Sequence, residues 1–252
     1  MLGNTPGKEQ RKYVPDYVVY DLETTGISCQ RDEVIEISAI RVRGGNPVAT
    51  FTQLVNPGMP IPYGASRVNH IYDNMVSDKP KFSQVLGEFI DFIGDDVLVG
   101  HNIKGFDMNF IYRDCQRYFG QTIDNDYIDT LHMAKKCFPD WKHRKLENLA
   151  EHYGIPTQGA HRALQDCHMN QQVFELMAKE RGAFSAANGM SGMKILAHGE
   201  RQHENGYGLA AQPKEADRHC PRCSAVLKKR HGKFGWFWGC SSFPACRYTE
   251  NI

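Results

Sequence analysis

The 252-residue chain has no apolar run approaching the length needed to cross a bilayer, and its first twelve residues, "MLGNTPGKEQRK", lack the apolar centre of a secretion signal. We therefore expect a soluble, cytoplasmic protein. It also lacks an excess of either charge, with 30 Lys and Arg against 29 Asp and Glu, a total that by itself is uninformative about partners. No internal repeat or low-complexity tract is visible. A disulfide framework is not expected in a cytoplasmic setting, so the eight cysteines invite a metal reading wherever they cluster.

The even charge balance hides a gradient. Residues 213–252 hold eight Lys or Arg against three acids, a balance of +5, and the rest of the chain holds 22 against 26, or −4. A mildly acidic body with a basic end suggests an end that meets a polyanion. The length accommodates one large domain and a small one.

Residues 14–23, 33–42 and 49–55 read as three strands separated by turn signals such as "GGNP", and their short connections make them antiparallel neighbours. Phe82, Val85, Leu86, Phe89, Ile90 and Ile93 have the spacing of an amphipathic helix over 81–94. A strand "DVLVG" follows, then helical patterns at 107–119, 129–138, 145–154 and 162–180. Strands first and alternation later describe an α/β mixed sheet flanked by helices. The tract 1–13 reads as a polar N-terminal tail, 14–180 as the main domain, 181–217 as a Gly-interrupted flexible linker of roughly 30–35 Å with short helical turns near 193–197 left open, and 218–252 as a small C-terminal module.

"YVVYDLETTG" places Asp21 and Glu23 two positions apart at the end of an apolar strand, hence on one face. Two desolvated like charges are unfavourable unless a cation binds between them. A solvated turn leading to Gly26 is the competing reading, and this stretch alone does not separate the two. Asp107 stands where "GHNIKGFD" enters a helix; His161 opens "HRALQDC", with Asp166 about one and a half turns inside. His161 and Asp166 would not stack on an ideal helix, but a His161 lying in the preceding loop could turn its ring toward the site Asp166 faces. Asp95 and Asp96 read as a solvated turn, Asp129 as a helix cap, His132, His143, His152 and His168 as surface residues, and Cys29, Cys115, Cys137 and Cys167 as packing.

"DLETTG", "HN…FD" and "HRALQD", in this order, resemble the three motifs of the DEDDh class of 3′-to-5′ exonucleases, over residues 15–180. Ile103, Lys104 and Gly105 make the second motif one residue longer than is usual there, so the resemblance is anchored on Phe106 and Asp107. It implies a ribonuclease H-like fold and two Mg²⁺ or Mn²⁺ ions held by Asp21, Glu23, Asp107 and Asp166, with Asp21 bridging both. Hard oxygen donors suit these cations, and such a pair can drive in-line phosphodiester hydrolysis. The resemblance makes His161 the general base, a role an imidazole of pKa near 6.5 suits. It also implies contact of Leu22, Thr24, Thr25, His70, Asn102 and Phe106 with the substrate end.

"CPRC" and "CSSFPAC" bring Cys220, Cys223, Cys240 and Cys246 into a C-x2-C-x16-C-x5-C pattern, a four-thiolate set for one structural Zn²⁺. A module this small needs the metal to fold, with His219 or His231 as substitute ligands only if a cysteine were left free. The stretch resembles a topoisomerase-type zinc ribbon. Lys228, Lys229, Arg230, Lys233, Phe234, Trp236, Phe237 and Trp238 interleave cations and aromatics as single-strand binders do, although a small ribbon also needs aromatics for its core. The expected function is metal-dependent 3′-to-5′ hydrolysis of DNA to nucleoside 5′-monophosphates, acting on single strands or 3′ ends. An RNA-directed enzyme and an inactive nucleic-acid-binding adaptor are the alternatives, and a polymerase or repair partner is compatible with each.

Overall fold

Tyr17 to Tyr20 are all buried, which a strand sustains only when both its faces are covered. In the computed structural model, which describes residues 2–180, 220, 222–223, 225–232, 235–242, 246 and 249–251, these residues open β2 (Tyr17–Thr24) at the centre of a five-stranded sheet. β3 (Val34–Arg43) and β4 (Asn46–Leu54) lie antiparallel on one side of it. β5 (Leu98–Gly100) and β7 (Tyr127–Asp129) lie parallel on the other, giving the order β4-β3-β2-β5-β7.

The period-2 alternation of β2 distributes its side chains between two cores. Val18, Tyr20 and Leu22 pack with Phe89 and Ile93 of α3 (Phe82–Ile93) and with Phe110 and Ile111 of α4 (Asp107–Phe119). Tyr17 and Val19 pack on the opposite face with Cys167 and Phe174 of α7 (Ala163–Glu180). α5 (Thr130–Cys137) and α6 (Leu146–His152) extend the α7 layer through Leu149, Met169 and Val173. Asp21 and Glu23 continue the odd-numbered face of β2 toward the start of α7.

The expected strands and long helices are thus present, with ends shifted by a few residues. α1 (Tyr63–Asn69) and α2 (Asp73–Val76) were not foreseen; each spans at most two turns, too short to display a period. Cys115 and Cys167 are buried, as packing residues should be. Asp96 departs from the expected solvated turn, because Arg43 lies 2.7 Å and Arg41 3.5 Å from its carboxylate.

The polar N-terminal tract is also bound rather than trailing. Leu2 and Gly3 form β1, paired with β6 (Thr122–Ile123). The Tyr127 amide donates to the Lys8 carbonyl and the Gln10 amide to the Tyr127 carbonyl, extending the sheet past β7 by a parallel bridge at Glu9. Backbone groups make these bonds, so polar side chains are no obstacle. Among the described residues no helix is long and apolar enough to cross a membrane. The expected linker at 181–217 and its short turns lie outside the described residues, as do His219, Lys233, Phe234 and the side chains of Lys229, Arg230, His231, Trp236 and Phe237.

Gly7 fixes this docking, because a Cβ there would stand 2.0 Å from the Asn125 carbonyl oxygen. Gly7→Ala should destabilise the protein by about 1–3 kcal/mol and release the Gln10 and Tyr127 amides to faster hydrogen exchange. Unchanged protection would refute the docked arrangement.

Candidate active site

Three elements bring the acids together. β2 supplies Asp21 and Glu23, α7 supplies Asp166, and one carboxylate oxygen from each lies within 4.8 Å of the others. Asp107, the first residue of α4, comes from the opposite layer; its Oδ1 accepts the Leu22 amide at 3.1 Å and it is 3 % exposed. It stands beside this trio and interacts electrostatically with Asp21 and Asp166 without joining the tight cluster.

The cost of this crowding shows in the proton affinities. Burial pushes the Asp21 carboxyl well above its usual range, and the charge of Asp107 adds to the effect. Glu23 is pushed up to about 8 by burial and then by Asp166. Burial raises Asp107 to about 8 against the opposing pull of the amides it accepts, and Asp166 to about 6. Acidic oxygens gathered from three directions and poorly solvated form a donor set that suits hard divalent cations.

The start of α7 is held by a residue the motifs did not reveal. Glu36 of β3 faces Glu23 across the strand pair and receives both Arg162 Nε at 3.0 Å and Nη2 at 2.6 Å. It also accepts the Ala163 amide at 3.1 Å. This charge-assisted fork fixes Arg162, the helix start and therefore Asp166 against the sheet.

His161 lies in the loop before α7, as its expected role requires, with a left-handed backbone at φ 66°. Its amide donates to Asp166 Oδ2 at 3.1 Å, and its half-exposed ring places Nε2 3.6 Å from Glu147 Oε1. The expected substrate residues divide. Asn102 lines a hollow of about 480 Å³ with Asp21, Asp166 and Glu147. Leu22 is 4 % exposed with its side chain in the core, and Phe106 packs against Phe110. The Thr24 hydroxyl donates to the Gly26 carbonyl, and the Thr25 hydroxyl accepts the Glu33 amide. His70 caps α1 in an exposed left-handed position and does not line the hollow.

The longer second motif is absorbed by a closed turn. Gly105 and Phe106 donate to the Asn102 carbonyl, Ile103 is buried, and the Asp129 carboxylate receives the Asn102 and Lys104 amides. Asp129 also caps α5 by accepting the Leu131 amide at 2.9 Å, as the sequence suggested. The partly buried His101 ring meets Thr130 Oγ1 at 3.0 Å, and desolvation lowers its pKa. "KHRK" at 142–145, from which the sequence singled out only His143 as a surface residue, places Lys142, His143, Arg144 and Lys145 on the rim of the hollow. Nothing in composition separated that run from an ordinary surface loop.

In the ribbon, β8 (Leu227–Gly232), β9 (Gly235–Cys240) and β10 (Thr249–Asn251) form an antiparallel sheet. The four expected cysteine sulfurs lie within 4.8 Å of one another, with Cys220 to Cys246 at 3.7 Å and Cys223 to Cys240 at 3.3 Å. A tetrahedron with metal–sulfur bonds of about 2.3 Å requires edges of about 3.8 Å, so the set fits zinc. The Cys223 thiol is lowered to about 7, first by the Ala225 backbone and then by its Cys240 contact. Leu227 is buried beside Cys220 and Cys240, and Trp238 packs partly buried against them, as a core aromatic would.

The raised carboxyls predict an inverted pH profile for the metal-free protein. Their folded values exceed the model-peptide values of 3.8 and 4.5, so the folded state binds more protons and stability falls as pH rises from about 4 to about 8. Glu23→Gln should flatten this fall, raising the melting temperature at pH 8 in EDTA by about 2–4 °C per kcal/mol relieved, and should reduce stabilisation by Mn²⁺. Thermal melts across this range check it; identical profiles for variant and parent would show that Glu23 is not strained.

These residues fall within a recognised family. The family described as Exonuclease (RNase_T) matches residues 18–174, and that described as Topoisomerase DNA binding C4 zinc finger matches residues 217–252. The DNA polymerase III subunit epsilon of Aquifex aeolicus is 37 % identical over 164 residues, covering 65 % of this chain and 81 % of that protein. The PolC-type DNA polymerase III of Clostridium perfringens is 36 % identical over 171 residues, 68 % of this chain but only 12 % of that protein. E. coli exonuclease I in complex with a dT13 oligonucleotide shares the fold, with a TM-score of 0.59 at 18 % identity, over 69 % of this chain and 43 % of that one. Sheet order, clustered acids and matched span agree, and the chain belongs to the exonuclease family, with a topoisomerase-type zinc ribbon as its second module.

Proposed function

We propose that the chain removes nucleotides from the 3′ end of DNA, releasing nucleoside 5′-monophosphates, and that the ribbon helps retain the single strand. The observation that carries this reading is the meeting of Asp21, Glu23 and Asp166 within 4.8 Å, with Asp107 alongside, where Asp21 and Asp166 line a hollow shared with Lys142, Arg144 and Lys145. The relatives named as the epsilon subunit support the polarity and the choice of DNA. RNA remains the other polymer these catalytic residues would accept.

Asp21, Glu23, Asp107 and Asp166 would hold two divalent cations, Mg²⁺ or Mn²⁺, and Cys220, Cys223, Cys240 and Cys246 one Zn²⁺. When bound, the divalent pair would activate a water and neutralise charge building on the phosphate. The chain's own residues define the rest. His161 would take the water's proton, and the Glu147 carboxylate, 3.6 Å from the ring's Nε2, would stabilise the resulting imidazolium as an ion pair. The Glu36–Arg162 fork keeps Asp166 and His161 in register with β2 during the reaction. Lys142 and Lys145 give the phosphates of the incoming strand a positive rim.

Asp21→Asn should abolish Mn²⁺-dependent release of labelled mononucleotide from a 3′-labelled strand while leaving the fold intact by circular dichroism. Retained hydrolysis would overturn the assignment. Matched DNA and RNA strands, labelled at either end, separate the two polymers and both polarities. Cys220→Ser should remove bound zinc and weaken single-strand affinity; zinc content and affinity equal to the parent's would exclude the ribbon's role.

A further inference from the structure

A second concavity of about 890 Å³, larger than the catalytic hollow, lies between the N-terminal segment and α5. Its apolar floor is made by Ile128, Met133 and Phe174. Arg11 and Lys12 stand on one wall and Lys135 and Lys136, at the end of α5, on the other. All four cations are exposed, and among the described residues none makes a close ion pair or side-chain hydrogen bond, Arg11 reaching Glu9 only through its longer-range charge.

The acids of this cleft are already engaged. Glu9 takes His132 at 2.8 Å and Lys104 at 3.8 Å. Asp129 is committed to the amides of Asn102, Lys104 and Leu131. The field left over is positive, while the chain outside its basic C-terminal tract is net acidic. A local cationic groove on an acidic body concentrates polyanions.

The cleft and the hollow are two sides of the same partition. Leu131 and Asn102 line the hollow; their neighbours His132 and Lys104 line the cleft. One turn of α5 and one loop therefore separate them. Arg11 and Lys12 precede residue 18, where the family match begins, so this wall is built by a segment added to the sheet edge beyond β7.

We propose that this cleft binds the sugar-phosphate backbone of the nucleic-acid strand whose 3′ end occupies the hollow, several nucleotides upstream of the reacting bond. The proposal rests on the exonuclease reading above. It makes the N-terminal segment a nucleic-acid contact and gives the enzyme a hold on long strands that does not involve the ribbon.

The test uses the full-length protein with Arg11, Lys12, Lys135 and Lys136 all replaced by Ala. On a single strand of twenty nucleotides, KM should rise about tenfold, and the slope of log affinity against log salt should fall by about 3, from roughly 0.7 for each of four phosphates released. Hydrolysis of a dinucleotide, too short to leave the hollow, should keep its kcat and KM. Equal KM and equal salt slope on the long strand would overturn the proposal, as would an equal loss on the dinucleotide. If the parent protein hydrolyses neither substrate, the exonuclease reading fails by itself. Anisotropy with the labelled strand in EDTA then decides the cleft, a tenfold weaker affinity of the variant supporting it and equal affinity refuting it. Polyglutamate competing as well as the strand would assign the cleft to acidic protein segments and likewise overturn the proposal.

Discussion

Mutual repulsion among Asp21, Glu23, Asp107 and Asp166 is the constraint the domain is arranged to withstand. Left to relax, these groups would separate and take up water. They cannot, because each is attached to something that does not move. β2 is clamped between two apolar cores. Asp107 is tied back to the Leu22 amide, and α7 is pinned to β3 by the fork from Arg162 to Glu36. Glu36 is buried while the Arg162 side chain is 40 % exposed, so the fork holds the helix start through the direction of its two parallel charge-assisted bonds. The carboxyls are raised by burial first and by the charge of neighbouring acids second, and a divalent cation bound among them would offset both.

Charge is segregated in a way the total conceals. The catalytic hollow is acidic at its base and basic at its rim, where Lys142 and Lys145 stand. On the proposed function, the basic rim would attract a polyanion while the acidic base would repel it until cations bind there. Net charge near zero is compatible with nucleic-acid binding when local fields of both signs are this strong.

Much of this was legible from sequence. Alternation in "YVVYDLET" placed Asp21 and Glu23 on one face, and the helix patterns put Asp107 at a helix entrance and Asp166 about one and a half turns inside another, where the structure has it in the first turn of α7. The ribbon's four cysteines were visible from spacing alone. What escaped was interaction between distant segments. Glu36 sits inside "EVIEISAIRV" and looks like an ordinary polar position of a strand, because its partner Arg162 is 126 residues away. The polar N-terminal tract gave no sign of joining the sheet, since the bonds that hold it belong to the backbone. β7, three residues long, was too brief for a pattern.

The described non-glycine residues with positive φ are His70, Asn102 and His161. Side chains that reach this region without large strain are chiefly Gly, Asn, Asp and His itself. Position 161 is therefore selected twice, once for an imidazole and once for a twist of the main chain, and these demands point to nearly the same short alphabet. Alanine would remove the proposed base and also resist the backbone conformation that delivers the amide to Asp166. Asparagine or glycine there would lose the base yet spare the hinge, so the loop's shape and its chemistry can be inherited separately.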